Sequence, residues 1–460
     1  MNETNHSEAS KQPNILLVIT DQQSADAIGC QLDRSWSQYL NTPNMDRLCT
    51  EGVFFNNAYC ADPLCLPSRS SMLSGRYPHE TGVVDNSPDE TSCKRLRTFP
   101  SLGSVFRQAG YRTGYIGKFH TPYDPTEEFE FTANIHNNGA DAQIPESTVA
   151  FLEEQKNTET PFFLVTSFVN PHNICEWARG DRGEDLPDDP IENPALEDCP
   201  PLRSNHLPAE NEPQIMTWLR RSYHATKMTP VADFSEADWR QLQFGYYRMI
   251  EMVDRRLGEI MTSLRENGQE DNTLVVFVSD HGDGQGAHKW NQKTVLYDES
   301  CRVPFAFYWP GKIEPGSRDQ LAQTGIDLMP TLCGLAGIDP PERLPGNDLS
   351  GVITRNEAGE REYIVAGTHF IQGEPIDGVH HTPNGRMVRS RQYKYCVYDV
   401  GEDSEELYDM LNDPGEMNNL AANPDYRGII QEHREYIIEY CRAHQDEFSP
   451  VVILSDLKTD

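Results

Sequence analysis

Three short apolar segments, each followed at once by polar residues, constrain the fold more than any other feature of the sequence. They lie within residues 15–21, 162–172 and 273–281, and they end in Thr-Asp, Asn-Pro-His and Ser-Asp-His. Continuous apolar runs of this length predict strands that are buried on both faces. Open sheets of such strands place their functional site at the carboxyl ends. We therefore predict an α/β fold with a large, mostly parallel central sheet flanked by helices.

Helical and hairpin patterns divide the rest of the chain into two units. Residues 235–267 predict a long amphipathic helix with Ser235 as its N-cap. Residues 386–398 have the composition of two adjacent strands and predict an antiparallel hairpin. We assign residues 13–370 to a larger domain that carries the site. Residues 371–460 are assigned to a smaller C-terminal α+β subdomain with an antiparallel sheet.

The chain is strongly acidic, with 39 Lys and Arg against 72 Asp and Glu and a net charge of −33. A surface of this sign repels nucleic acid and anionic membranes, so we exclude both as partners. Residues 181–201 concentrate acids and prolines and predict a solvated insertion loop. Because this segment closely follows His172, we expect it near the mouth of the site.

Two features of the sequence bear on the cellular compartment of the protein: its cysteines and its first residues. The 11 cysteines form no Cys-X-X-Cys pair, which argues against a zinc site or a disulfide framework and suits a reducing environment. Residues 1–12 are polar and contain no apolar segment of the kind a secretory signal needs. We expect a cytoplasmic protein, or a periplasmic or secreted one if a leader was removed.

Residues 65–76, Cys-Leu-Pro-Ser-Arg-Ser-Ser-Met-Leu-Ser-Gly-Arg, carry the most specific motif. On the residues alone, Cys65 is a thiol at a helix start, and Arg69 follows one helical turn later. The order Cys-X-Pro-Ser-Arg resembles the signature of type I sulfatases, a family of the alkaline phosphatase-like superfamily. Residues 406–420 resemble the C-terminal pattern of the same family. The resemblance implies an alkaline phosphatase-like fold and hydrolysis of a sulfate ester.

The resemblance also implies a modified cysteine and a divalent metal. In that family a maturation enzyme oxidises the cysteine, here Cys65, to formylglycine, whose hydrate attacks sulfur. The family's metal positions match Asp21, Gln22, Asp280 and His281, with Cys65 completing the set. Oxygen-rich ligands predict Ca²⁺, with Mg²⁺ as the alternative. Gln22 and His281 replace the commonest family residues and resemble the choline sulfatase and phosphonate monoester hydrolase branches.

Further catalytic positions follow from the same resemblance. Lys118 and His120 match a pair that contacts the sulfate and the formylglycine hydroxyl, and that phosphonate monoester hydrolases lack. His172 matches the histidine beside the bridging oxygen, where an imidazolium protonates the leaving alcohol. Lys293 matches a lysine that holds a sulfate oxygen as a point charge. The predicted catalytic set is Cys65, Arg69, Lys118, His120, His172 and Lys293.

Other residues near this set are candidates for contact with substrate beside Lys118, His172 and Lys293. Asn86 resembles an asparagine that the choline sulfatase branch places beside the sulfate. Glu176 and Trp177 could hydrogen-bond to a sugar and stack on it, or could equally pack within their own loop. Weaker candidates are His79, His369, His380, His381 and Arg386.

We therefore predict a metal-dependent sulfatase that acts on a sulfate ester, with a carbohydrate sulfate as the leading substrate. A small ester such as choline sulfate is the first alternative. A phosphonate monoester or phosphodiester hydrolase would use much the same metal site and is the second. A catalytically silent, glycan-binding relative is the alternative from outside the enzymes. The predicted partners are the sulfated substrate and the formylglycine-generating enzyme.

Overall fold

The computed structural model describes residues 12–137, 141–180, 194–359, 361–370, 373–380 and 382–450. The strands of this part are β1 (Asn14–Asp21), β2 (Val53–Tyr59), β3 (Arg112–Lys118), β4 (Phe131–His136), β5 (Phe162–Pro171), β6 (Thr273–Ser279), β7 (Phe305–Tyr308), β8 (Gly316–Gln323), β9 (Tyr363–His369), β10 (Asn384–Ser390), β11 (Tyr393–Tyr398) and β12 (Glu405–Asp409).

The α-helices of the same residues are α1 (Pro43–Thr50), α2 (Cys65–Ser74), α3 (Pro78–Thr81), α4 (Glu90–Leu96), α5 (Leu102–Gln108), α6 (Pro125–Glu128), α7 (Ile144–Gln155), α8 (Ile174–Ala178), α9 (Gln214–Tyr223), α10 (Glu236–Glu266), α11 (Asp298–Cys301), α12 (Thr324–Ala336), α13 (Ser350–Arg355) and α14 (Arg427–His444). None of them combines the length and apolar character that a membrane-spanning helix requires.

The central sheet has eight strands in the order β4-β3-β5-β1-β6-β7-β2-β8. Only β7 runs antiparallel to its neighbours β6 and β2, so the prediction of a mostly parallel sheet is confirmed. The three apolar segments of the sequence are β5, β1 and β6, which lie side by side at the centre of the sheet. Their carboxyl ends therefore meet at one edge, where the polar residues that follow them are brought together.

Side chains alternate across β1 and separate two cores, one on each face of the sheet. Leu16 and Val18 pack in the core that contains α10. Ile15, Leu17 and Ile19 pack in the opposite core with α5 and α12. Burial on both faces explains why the strand is apolar throughout and shows no alternation of polar residues.

The long helix α10 begins where the sequence predicts. Ser235 and Asp238 form a capping box in which the backbone nitrogen of Ser235 donates to Asp238 Oδ2 at 2.8 Å. Apolar side chains along its inner face, such as Tyr246 and Ile250, fill the core against β5. This packing supports the strand that leads to His172.

The C-terminal part forms a second, antiparallel sheet in the order β12-β11-β10-β9, against which α14 packs. The hairpin predicted over residues 386–398 is confirmed as β10 and β11. The first strand of this sheet, β9, begins at Tyr363 and so precedes the boundary placed after residue 370. The division of the chain into domains stays a prediction.

Residues 181–193 of the acidic, proline-rich segment lie outside the described residues, so its assignment as a loop near the site stays a prediction. The described end of the segment, residues 194–201, contains a short 3₁₀ turn, Leu196–Asp198.

Gly117 is required where β3 leads into Lys118. Its φ is +96°, and a Cβ at this position would clash with the carbonyl oxygen of Ser167 on β5. Gly117→Ala should lower the free energy of unfolding by roughly 2–5 kcal/mol, from left-handed strain plus overpacking. Urea unfolding of the purified protein measures this.

Gly110→Ala is the matched control for this change. Gly110 has a φ of +88° but open space around the missing Cβ, so only the left-handed strain of about 1–2 kcal/mol applies. Equal losses in the two variants would contradict the steric argument.

Candidate active site

Arg69 joins the carboxyl ends of two neighbouring strands. Asp21 ends β1 and Asp280 follows β6, and the two strands run parallel in direct register up to Thr20 and Ser279. Arg69 Nη2 lies 3.0 Å from Asp21 Oδ2, and Arg69 Nε lies 2.7 Å from Asp280 Oδ2. All three side chains are buried. One guanidinium therefore sets the spacing of two carboxylates in the interior.

Cys65 begins α2, as predicted, and its sulfur is the centre of a polar cluster. Lys293 Nζ donates to Cys65 Sγ at 2.9 Å, and His281 Nε2 lies 3.2 Å from the same sulfur. Burial and the charge of Asp21 raise the pKa of the thiol. Lys293, Lys118 and His281 outweigh them and hold that pKa well below its usual range. The site therefore favours a negatively charged group at this position.

Four candidate metal ligands converge at this point: Asp21, Cys65, Asp280 and His281, whose ligand atoms all lie within 4.8 Å of one another. His281 Nδ1 lies 2.9 Å from the carbonyl oxygen of Gly282, which leaves Nε2 for a ligand. Burial and the nearby Asp21 raise the pKa of Asp280 to about 6. A cation would relieve this repulsion between buried carboxylates, so the residues fit a divalent metal.

Gln22 lies beside the cluster in a left-handed conformation, with a φ of +70°. Its Nε2 donates to Asp283 Oδ2 at 2.7 Å, and its Oε1 accepts a hydrogen bond from Lys293 Nζ at 2.8 Å. Asp283 therefore determines which end of the amide faces Lys293. The sequence analysis missed Asp283. The available signal was its place in Asp-His-Gly-Asp, the polar run that follows β6.

The two predicted sulfate-binding lysines are both in the site. Lys118 Nζ lies 2.8 Å from Asp21 Oδ2, and Lys293 Nζ lies between Cys65 and Gln22. Burial raises the pKa of Asp21, but Lys118 and the other nearby cations hold it well below its usual range. The site thus contains fixed positive charge close to Cys65.

The two predicted histidines flank the lysines. His120 follows β3 and is half-buried, and its Nδ1 has no hydrogen-bond partner in the described part of the chain. His172 follows β5, and its Nδ1 likewise lacks a partner among the residues described. Burial, Lys293 and Lys118 lower the pKa of His172 to about 4. These surroundings favour the neutral ring when no substrate is bound, and the imidazolium expected during the reaction stays a prediction.

The residues predicted to contact substrate have different surroundings. Asn86 Oδ1 accepts a hydrogen bond at 3.1 Å from the backbone nitrogen of Leu66, next to Cys65. Glu176 is half-buried on α8 and pairs with Arg179 at 3.4 Å. Trp177 is only 3% exposed and packs in the core beside Gly245 of α10. Stacking of Trp177 on a sugar is therefore wrong, because its ring fills the interior of the protein.

Comparison with known proteins identifies the family of the chain. The sulfatase family model matches residues 13–338, and the model for the C-terminal part of N-sulphoglucosamine sulphohydrolase matches residues 286–443. The chain is 32% identical to a Δ4,5-hexuronate-2-O-sulfatase of Bacteroides thetaiotaomicron, over 98% of this chain and 93% of the relative.

Two further proteins that the chain resembles are also sulfatases. An N-acetylglucosamine-6-O-sulfatase of B. thetaiotaomicron is 25% identical, over 95% of this chain and 88% of the relative. The solved structure of a 2-O GAG sulfatase superposes with a TM-score of 0.80 and 32% identity, covering 95% of this chain and 93% of the other.

The fold and site are those of a hydrolase of the alkaline phosphatase-like superfamily. More narrowly, the chain belongs to the sulfatase family and is a sulfate ester hydrolase.

Arg69→Met should both destabilise the protein and abolish sulfate release. It leaves Asp280 buried without its cationic partner, which costs roughly 3–5 kcal/mol of unfolding free energy. Chemical denaturation and a sulfate-release assay measure the two effects. Lys94→Met is the control, because the exposed Lys94–Glu90 pair is screened by water and its loss should leave stability nearly unchanged. A stable, active Arg69→Met protein would contradict the bridging role.

Proposed function

We propose that the enzyme removes sulfate from a carbohydrate ester, and that 2-O-sulfated Δ4,5-hexuronate is the first substrate to test. The observation that carries the reaction is the convergence of Cys65 and Lys293 with the acidic ends of β1 and β6. The identity of 32% to a hexuronate-2-O-sulfatase along nearly the whole chain supports the substrate.

Cys65 is proposed to be converted to formylglycine by a separate maturation enzyme. Formylglycine would supply an oxygen nucleophile for sulfur, and Cys65 Sγ in this structure stands in for that oxygen. The start of α2 and the two lysines favour negative charge there. Arg69 holds Asp280 beside the cluster, so the carboxylate is positioned as an acceptor for a nucleophile proton.

The metal is proposed to be Ca²⁺, held by Asp21, Asp280, His281 and the group at position 65, with Gln22 as a further ligand. A bound cation would supply Lewis-acid stabilisation of the nucleophile and of a sulfate oxygen. The positions of the ligand atoms support this proposal. Asp21 Oδ2 pairs with Arg69 and Lys118, whereas Asp21 Oδ1 faces His281 and is available to a cation.

Lys118 and Lys293 are proposed to bind the non-bridging sulfate oxygens. Both side chains are buried, so their charges are weakly screened and act strongly on a charge that develops at sulfur. Lys293 is the closer of the two to the nucleophile, since its Nζ contacts Cys65 Sγ directly. Gln22, which accepts from the same Nζ, restricts where this ammonium lies.

His172 and His120 are proposed to handle the protons of the reaction. His172 follows β5 and, as an imidazolium favoured by the negative charge of a bound sulfate, would protonate the oxygen of the departing alcohol. His120 follows Lys118 and would take the proton that must leave the nucleophile when sulfate is released. Their nitrogens without partners in the described residues make both rings available.

A substrate panel tests the proposal. The matured enzyme should release sulfate from 2-O-sulfated Δ4,5-hexuronate faster than from choline sulfate. It should leave an aryl phosphonate monoester nearly untouched, because phosphonate monoester hydrolases lack the pair that Lys118 and His120 match. Ion chromatography measures released sulfate. Cys65→Ala should lose roughly a thousandfold or more in rate, while Cys30→Ala, an exposed cysteine, should not.

The mass of the peptide around residue 65 reports maturation in the same samples. Preference for the phosphonate would refute the sulfatase assignment for this site, and preference for choline sulfate would refute the carbohydrate substrate. Glycan binding without any sulfate release from fully matured protein would favour a silent relative.

Removal of the metal should stop the reaction. Treatment with a chelator should lower the rate of sulfate release by roughly a hundredfold or more, and added Ca²⁺ should restore it. Asp280→Asn should weaken Ca²⁺ binding in calorimetry, whereas Asp271→Asn should not. Asp271 lies at the other end of β6 and is exposed. Full activity after exhaustive chelation would contradict the metal site.

A further inference from the structure

A second group of candidate metal ligands lies outside the predicted catalytic set. It consists of His288, Glu299 and Glu416, whose ligand atoms all lie within 4.8 Å of one another. His288 belongs to the short 3₁₀ turn Ala287–Lys289, and Glu299 belongs to α11. Glu416 comes from the loop after β12, in the C-terminal part. Three separate segments of the chain therefore bring one imidazole and two carboxylates together.

The imidazole of His288 is the observation that points to a ligand. Its side chain is fully buried, yet neither ring nitrogen makes a hydrogen bond of ordinary geometry within the described residues. Buried polar groups of this kind are rare and call for a partner such as an ion or a water. The ring of Tyr297 stacks on the imidazole, with the two centroids 3.9 Å apart and the planes at 9°. This stacking fixes the plane of the ring.

The protonation of His288 also suits a metal ligand. Burial, Arg220 and Lys394 lower the pKa of His288 to about 3, so the ring is neutral and keeps the lone pair that a metal needs. The carbonyl of Gly415, although outside ordinary hydrogen-bond geometry, acts in the opposite direction and favours a proton on the ring. Metal-binding histidines have this arrangement, in which a carbonyl accepts from one nitrogen and the other nitrogen binds the ion.

The two carboxylates have capacity for a cation. Glu299 Oε1 accepts a hydrogen bond from Asn205 Nδ2 at 2.8 Å, whereas Glu299 Oε2 is buried without a hydrogen-bond partner in the described part of the chain. Glu416 Oε2 accepts from the backbone nitrogen of Asp298 at 2.7 Å, and Glu416 Oε1 pairs with Lys394 at 2.7 Å. Burial raises the pKa of both glutamates above its usual value. A cation between them would favour their ionised forms.

The charges around the group indicate which kind of ion it suits. The fixed cations nearby are Lys394, Arg203, Arg220, Arg302 and Arg389. They neutralise most of the acids, since Lys394 pairs with both Asp298 and Glu416, but the contact of Arg203 with Glu299 is long, at 3.8 Å. Charge alone would therefore not hold Ca²⁺, which requires six or more oxygen ligands. Zn²⁺ binds imidazole together with carboxylate and needs only four ligands.

A cavity connects the group to solvent. Its volume is about 460 Å³, and Glu299, Asn205 and Gly415 are among the residues that line it. A water from this cavity would supply the fourth ligand. Two ligands of a tetrahedral Zn²⁺ at about 2.0–2.1 Å lie roughly 3.3–3.5 Å apart, so the three side chains would close on the ion by about an ångström.

We propose that His288, Glu299 and Glu416 bind a second divalent cation, with Zn²⁺ as the best fit, separate from the cation of the catalytic site. Because its ligands include no cysteine, this site differs from the cysteine-based zinc sites that the sequence argues against. His288 precedes Lys293 in the chain and Glu299 follows it. The ion would therefore clamp the segment that carries this lysine and tie it to the C-terminal part.

Zinc binding to the purified enzyme in excess Ca²⁺, which keeps the catalytic ligands occupied, tests the proposal. Calorimetry should show Zn²⁺ binding to the wild type. Glu299→Gln keeps the shape of the side chain but removes its charge, and should weaken this binding by roughly tenfold or more. Glu259→Gln, at an exposed position of α10, should bind Zn²⁺ as the wild type does. Zn²⁺ should also raise the melting temperature of the wild type and of Glu259→Gln, but not that of Glu299→Gln.

Crystals of the wild-type enzyme equilibrated with Zn²⁺ locate the ion, so a variant that fails to fold does not affect this test. An anomalous peak at about 2.0–2.2 Å from His288, Glu299 and Glu416 is expected. A peak beside His288 without anomalous signal would identify a water and overturn the inference. Zinc found only in the catalytic site, with binding lost in Asp280→Asn and kept in Glu299→Gln, would overturn it as well.

Discussion

The ion pairs of Arg69 with Asp21 and Asp280 are the constraint on which the site depends. Three charged groups taken out of water cost several kcal/mol each unless their partners are well placed. Here the partners come from two adjacent strands and from the helix that begins with Cys65. Any shift of that helix against the sheet would leave a buried charge unpaired. The position of Cys65 is therefore tied to the two acidic strand ends by electrostatics as well as by packing.

The C-terminal sheet contributes to the same arrangement from a distance. Lys394 of β11 is buried, and its Nζ lies 3.0 Å from Asp298 Oδ1 and 2.7 Å from Glu416 Oε1. Thr368 of β9 holds the carbonyl of Thr294. These contacts hold the segment Thr294 to Asp298, which directly follows Lys293. The second sheet has no member of the predicted catalytic set, yet it anchors the segment next to the lysine that contacts Cys65.

Sequence reasoning succeeded where a single local rule decides the structure. Burial on both faces makes β1 and β6 apolar throughout, so their bounds and their parallel pairing were predictable. It left the role of Trp177 undecided, because an aromatic residue after a strand has the same local signature whether it faces a ligand or the core. It also missed Asp283, whose role lies in a hydrogen bond to Gln22, 261 positions away in the chain.

The sequence by itself determined the family, the parallel sheet and the set of polar residues at the strand ends, because these follow from apolar runs and from a short motif. The tertiary structure alone decided how those residues meet: the bridge made by Arg69, the orientation of the Gln22 amide and the burial that lowers the pKa of His172. The reason is physical: hydrogen bonds, charge pairs and desolvation depend on distances between residues far apart in the chain, which no local pattern specifies.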